Sequence, residues 1–234
     1  VVVMSGVTDP YQPVERRLKI TRGCLEVLAE FRNPVAIITK NTMVTRDIDI
    51  LEKLQAFHCV MVNISVTTLD PKLARIMEPR ASLPHQRLSA IEQLARKNIP
   101  VNVMIAPIIP ALNDQEIPSI LKAVAEAGAV SAAYVLLRLP YANKDLFENW
   151  LENHFPERKD KVLNRIRAMR GGKLYDARFG HRMRGEGVFA EQIQKFFDVS
   201  RRKYGLNQKR IALSTESFQN PRDRQQYMLN FCPM

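Results

Sequence analysis

Five short apolar, β-branched runs punctuate the first 137 residues: Val1 to Met4, Val35 to Thr39, Val60 to Val66, Val101 to Ile105 and Ala132 to Leu137. Their starts lie 34, 25, 41 and 31 residues apart, close to the roughly 30 residues of one βαβ unit. Between them the pattern turns helical at Val14 to Phe31, Asp47 to Phe57, Pro84 to Lys97, Gln115 to Ala127 and Lys144 to His154. Pro13 and Asp114 stand where helices start, and Gly128 where one stops. Strand and helix in alternation predict a parallel sheet covered by helices. Two architectures fit, an open doubly wound sheet and a barrel. In Val60 to Val66, Val62, Ile64 and Val66 share one face while Asn63, Ser65 and Thr67 share the other. A polar stripe on a strand suggests one face lining a lumen, which favours a barrel or part of one.

Charge divides the chain. Residues 1–155 hold 17 Lys and Arg against 16 Asp and Glu, whereas residues 156–234 hold 18 against 8. Most of the net charge of +11 is therefore in the last third, which is expected to form a basic extension to a core over residues 1–155. Clustered Lys and Arg attract phosphates, so nucleic acid is a candidate partner; a solvated basic surface is the plain alternative. Here Lys159 to Met169 and Phe189 to Tyr204 read as helices. Gly171 to Gly187 reads as a loop holding five of the nine glycines with Arg178, Arg182 and Arg184. The segment from Ile211 to Met234 is expected to pack back on the body through Phe218 and Phe231.

No apolar run reaches the roughly 18 residues of a membrane helix, and the start lacks the build of a signal peptide, so a cytoplasmic protein with no membrane partner is expected. Val1 to Met4 reads as the middle of a buried strand, so an N-terminal part is expected to precede it. Cys24, Cys59 and Cys232 are too widely spaced for a disulfide framework or a zinc site. The four histidines form no i, i+4 pair, and no metal ligands are assigned. Gly185-Glu186-Gly187-Val188-Phe189-Ala190 matches a dinucleotide fingerprint in letters but follows a polar loop, so it reads as a turn before a helix.

In parallel βα folds the site lies beyond the C-terminal ends of the strands. The residues there are polar throughout: Thr8, Asp9, Tyr11 and Gln12; Thr39, Lys40 and Asn41; Ser65, Thr67 and Thr68; Asn113 and Asp114; Arg138. A cation at Lys40 and a carboxylate at Asp9 with hydroxyls between them would suit a zwitterion such as an amino acid moiety.

The segments TDPYQPVERR, ITKNT, ISVTTLDPKLARIMEPR, RLSAIEQLARKNIPVNVMIAPIIPALND, YVLLRLP and MRGGKLYDARFGHRMRGEG run from Thr8 to Gly187. Together they resemble the radical S-adenosylmethionine (SAM) proteins of the spore photoproduct lyase-like, or DNA repair photolyase-like, group. The resemblance implies a partial, TIM-like (β/α)6 barrel whose strands two to six are the five runs, with the first βα unit absent. The loop after strand one carries Cys-x-x-x-Cys-x-x-Cys in that group, holding a [4Fe-4S] cluster with one iron open to SAM. No such triplet occurs here, so this chain alone is expected to be inactive.

The resemblance further implies that Thr8 and Asp9 meet the amino group of SAM, and that Lys40 and Ser65 meet its carboxylate. Asn102 and Asn113, with Pro107, would contact ribose or adenine, and Arg138 would close the site or face the substrate. The plain alternatives are a lumen hydrogen bond for Ser65 and Asn102 and a solvated charge for Lys40. The implied activity is lyase-like: a one-electron reductant feeds the cluster, SAM is cleaved to a 5′-deoxyadenosyl radical, and hydrogen is taken from a substrate, possibly a nucleic acid. No catalytic residue is assigned. A cluster-less nucleic-acid-binding protein is the competing expectation.

Overall fold

A computed structural model describes residues 1–5, 8–207 and 211–220. Five parallel strands stand in chain order: β1 (Val2–Met4), β2 (Val35–Thr39), β3 (Val60–Ser65), β4 (Val101–Ile108) and β5 (Ser131–Leu136). The helices connecting or following them are α1 (Glu15–Leu18), α2 (Ile20–Glu30), α3 (Ile48–Gln55), α4 (Pro71–Met77), α5 (Pro84–Arg96), α6 (Ile117–Glu126), α7 (Asn143–His154), α8 (Pro156–Ala168) and α9 (Val188–Lys203). Short 3-10 turns at Thr42–Asp47 and Asp114–Glu116 lead into α3 and α6.

One sheet face is apolar and covered. Val35, Ile37, Val62, Ile64, Val103 and Ile105 are fully or almost fully buried in one cluster with Leu25, Leu51, Leu54, Ile91, Leu94, Ile120 and Leu121 of the helices. The other face carries a polar ladder. Asn63 Nδ2 donates to Ile37 O at 3.1 Å, Asn102 Nδ2 donates to Asn63 Oδ1 at 2.9 Å, and Ser131 Oγ donates to Asn102 Oδ1 at 2.8 Å. Asn63, Asn102 and Ser131 are register partners on β3, β4 and β5, so the polar stripe of β3 is one rung of a ladder crossing three strands. Each such bond contributes about 1 kcal/mol net, and orphaning a buried partner costs more.

Three expectations need correction. The span Val14 to Phe31 is two helices, because Lys19 is left-handed at φ 51°. The break lets buried Glu15 turn back onto the start of α2, where its carboxylate accepts from Thr21 N at 3.1 Å and Arg22 N at 3.4 Å. A carboxylate there satisfies orphan N–H groups and suits the positive end of the helix dipole. Helix α4 lies between the expected helices, and Asp70-Pro71 signals it: Asp70 Oδ1 accepts from Lys72 N at 2.7 Å, with Pro71 in the first turn. Finally, β4 runs to Ile108 with a register shift after Ile105, three residues past the apolar run.

Gly128 does end α6, at φ +95° with space for a Cβ only 2.7 Å from Ala95 Cβ. The basic helices share their packing with the sheet. Ile193 and Phe197 of α9 lie in the main core, while Val162, Leu163 and Ile166 of α8 cluster with Leu151 of α7 and with Ile109, Leu112 and Leu139. The division expected at Phe155 thus falls between α7 and α8, inside one packed cluster. The loop before α9 seals the edge of β5, where Leu136 N donates to Met183 O at 2.9 Å. Segment 211–220 returns along the start of the sheet through Ser214 N to His58 O and Gln219 N to Phe31 O. Phe218 is 44% exposed and so is no anchor for it; Phe231 lies outside the described residues. Among the described residues no helix is long and apolar enough to cross a membrane.

Candidate active site at the strand ends

The C-terminal ends of β2 and β3 converge on one ionic knot. Glu78, just past α4, is the hinge: its Oε1 accepts from Lys40 Nζ and, at 2.9 Å, from Thr67 Oγ1, and its Oε2 accepts from Arg87 Nη2 at 2.5 Å. Arg87, 3% exposed in its side chain, also donates to Ser65 O at 2.8 Å and Ser82 O at 2.7 Å. Burial pushes the Glu78 carboxyl up, but Lys40 and Arg87 outweigh it and hold the group below the usual carboxylate range. Two cations against one carboxylate leave the knot with a net positive charge. An ammonium has three N–H donors, and the pair with Glu78 uses one.

Asp9 fixes the other side of Lys40. Its Oδ1 accepts from Tyr11 N at 2.9 Å and Thr39 Oγ1 at 2.8 Å, and its Oδ2 accepts from Lys40 N at 2.7 Å. Asp9 thereby staples the β1 loop to the end of β2. Thr8, Asp9, Lys40 and Arg80 border a cavity of about 310 Å³. Thr39 pairs with Ile64, so continuing the register by one sets Lys40 beside Ser65. Thr8, Asp9, Lys40 and Ser65 are therefore gathered at one rim. Lys40 also borders a second cavity, of about 380 Å³, which Arg138 lines too.

Two expected residues are elsewhere. Asn102 belongs to the polar ladder and lines a cavity with Val3, Ala36 and Met61 near the beginnings of the strands, away from the rim. Asn102 is the second residue of β4 and so stands near the beginning of the strand, far from its C-terminal end. Asn113 is fully buried: its Nδ2 donates to Thr67 O at 2.9 Å and Pro107 O at 3.1 Å, and its Oδ1 accepts from Ile109 N at 2.6 Å. Its amide shapes the loop behind the cis Ala106-Pro107 peptide.

Sequence reasoning missed Glu78 and Arg87. Arg87 did leave a signal, because it shares the buried stripe of α5 with Pro84, Ala90, Ile91 and Leu94, and a charge on an apolar stripe requires a buried partner. Glu78, in the turn after an unassigned helix, left none.

The radical SAM superfamily matches residues 1–124. This chain belongs to that superfamily. An uncharacterized protein of Mycobacterium tuberculosis is 31% identical over 158 residues, covering 67% of this chain and 46% of its own length. A second, of Methanocaldococcus jannaschii, is 28% identical over 164 residues, covering 70% and 60%. The FeMo cofactor biosynthesis protein NifB of Chlorobaculum tepidum is 26% identical over 204 residues, covering 80% and 45%. This chain thus spans about half the length of the curated relatives it matches. Among solved structures, a spore photoproduct lyase mutant with bound AdoMet and dinucleoside spore photoproduct superposes with a TM-score of 0.53 at 14% identity, over 86% of this chain and 56% of that one. That likeness shows the fold, and five parallel strands in sequence order are consistent with a partial TIM-like barrel.

Membership of the family implies SAM and an iron–sulfur cluster. The rim fits the first: a zwitterionic amino acid end matches Lys40 beside Asp9, with a cavity adjoining both. The described residues do not fit the second. They contain no group of three His, Cys, Asp or Glu side chains able to hold a metal. Cys24 is exposed on α2, and Cys59 is buried with its thiol pushed up by burial. Cys232 lies outside the described residues. A thiol held protonated is a poor iron ligand.

Proposed function

We propose that this chain forms the cofactor and substrate rim of a cytoplasmic, lyase-like radical SAM enzyme whose cluster ligands are other than the residues described above. Lys40 Nζ and Ser65 receive the carboxylate of SAM, and Thr8 and Asp9 border its amino group. Asp9 acts mainly as a positioning residue, since three donors already occupy its carboxylate. In this family SAM bound to a reduced cluster supplies hydrogen-atom abstraction, which requires a one-electron reductant as a further partner. This chain's own residues bind, orient and shelter. The observation that carries the reading is the net positive Lys40–Glu78–Arg87 knot at the rim. The test is SAM affinity in the cluster-bearing protein: Lys40→Ala is expected to weaken it by about 1.5–3 kcal/mol, the range of a hydrogen bond to a charged group. Unchanged affinity removes Lys40 from the site.

A second reading, nucleic-acid binding, is favoured by a separate cavity of about 490 Å³ between α8, α9 and the loop after β4. Arg158, Lys161 and Arg165 line it from one face of α8, opposite Phe189 and Phe196 of α9. Arg165 pairs with Asp114 at 3.4 Å and lies over the Phe189 ring at 5.2 Å. Cations tracking phosphates beside aromatic rings are the elements of a single-strand groove. Binding to a single-stranded oligonucleotide that weakens steeply with salt is the expected behaviour; salt-insensitive or absent binding rejects it.

A further inference from the structure

The second rim cavity has an unbalanced charge. Lys40 on one wall is paired with Glu78, which it shares with Arg87, while Arg138, just past β5, has no ion pair among the described residues, and its Nε is buried without a hydrogen-bond partner. Near it is a second guanidinium, Arg170, 3% exposed, which among the described residues donates only to carbonyls: His181 O at 2.8 Å and Leu137 O at 3.0 Å. Burial pushes Arg170 down from its usual value; Asp176 opposes this and the nearby Arg138 charge adds to it. Asp176 is itself held by Arg178 at 2.6 Å. Two guanidiniums close enough to repel, with no carboxylate among the described residues bound to either, favour an added anion.

Apart from Asn143, the rest of the cavity is apolar, with Met77, Ile109, Leu139, Phe147 and Trp150 among its lining. Phe147 and Trp150, one turn apart on α7, stack with centroids 5.6 Å apart and planes at 16°. At about 380 Å³ the space suits a small molecule. We propose that Arg138 anchors the anionic oxygens of a small-molecule substrate, a carboxylate or a phosphomonoester, whose ring-bearing apolar body lies against Leu139, Phe147 and Trp150. The assignment rests on the rim reading, which sets this cavity beside the SAM carboxylate site through their shared Lys40.

Trp150 is the sole tryptophan of the chain, so its fluorescence reports occupancy of this cavity with neither SAM nor cluster present. The probes are phenylacetate, phenyl phosphate, neutral phenylacetamide, acetate and inorganic phosphate. At least one aryl anion is expected to shift the emission saturably, about tenfold more tightly than phenylacetamide and than its own ring-less anion, the increment of one charged hydrogen bond. Arg138→Gln is expected to bring the aryl anions to the level of the amide, and Arg138→Lys to restore part of the preference. Saturation by only one of the two aryl anions identifies which oxyacid the site takes. Equal affinity for phenylacetate, phenyl phosphate and phenylacetamide in the unaltered protein overturns the proposal, as does full retention of anion preference in Arg138→Gln with an unchanged melting temperature. Equal affinity for inorganic phosphate and phenyl phosphate overturns the apolar half. Because no SAM is present, these failures leave the Lys40 reading standing, and loss of the Lys40 effect on SAM leaves this titration to be judged on its own.

Discussion

Glu78→Gln is the perturbation that reaches furthest into the rim. It leaves Arg87, 3% exposed in its side chain, without its only ion-pair partner among the described residues. Breaking a buried pair from one side typically costs about 3–5 kcal/mol. Two facts keep the loss at the lower end: Arg87 retains bonds to Ser65 O and Ser82 O, and glutamine keeps one acceptor. Lys40, 32% exposed, adds only a few tenths after solvent screening. The expected destabilisation is about 3 kcal/mol by urea unfolding near pH 7, with the slope unchanged. Acid gives an independent readout. The Glu78 carboxyl is held below its unfolded value, so its contribution is fully present above about pH 4.3 and is lost as pH falls through the lowered folded value. The gap between wild type and Glu78→Gln should therefore narrow on acidification below about pH 4. A loss under 1 kcal/mol, or a gap that stays constant with pH, refutes the ionic knot.

Asn102→Ala removes the middle of the polar ladder, orphaning Asn63 Oδ1 and Ser131 Oγ. It should cost about 2 kcal/mol in thermal or urea unfolding while leaving SAM affinity within twofold; a marked loss of SAM binding would return Asn102 to the site. Arg158→Ala and Lys161→Ala should each lower the salt slope of oligonucleotide binding by about 1 without changing sequence preference. Unaltered slopes in both would exclude the α8 face.

What the sequence revealed and what it hid follow from the range of the forces involved. Period-2 and period-3.6 patterns are local, so all five strands and most helices were legible, down to the Gly128 stop of α6. The Lys19 break was not, because the carboxylate that rewards it comes from Glu15 only once Arg46, in the turn before α3, holds that group at 2.9 Å. The polar rim was legible as composition, and Thr8, Asp9 and Lys40 border one cavity there. Its wiring was not. Whether an asparagine faces a cavity or clamps a loop depends on contacts such as Asn113 to Thr67, 46 residues away, or Asn102 to Asn63, its register partner on β3. Glu78 acquires its importance from Lys40, 38 residues away, and from Arg87 across the turn between α4 and α5, partners joined only by folding.

The most direct measurement pairs Lys40 with the group it is held to grip. In the cluster-bearing protein, SAM and its decarboxylated analogue are titrated against wild type and Lys40→Ala. Removing the carboxylate should weaken wild-type binding by about tenfold or more and add almost nothing in Lys40→Ala, since one interaction cannot be lost twice. Equal penalties in both proteins would show that the carboxylate binds elsewhere, and the rim would then hold no methionyl group through Lys40.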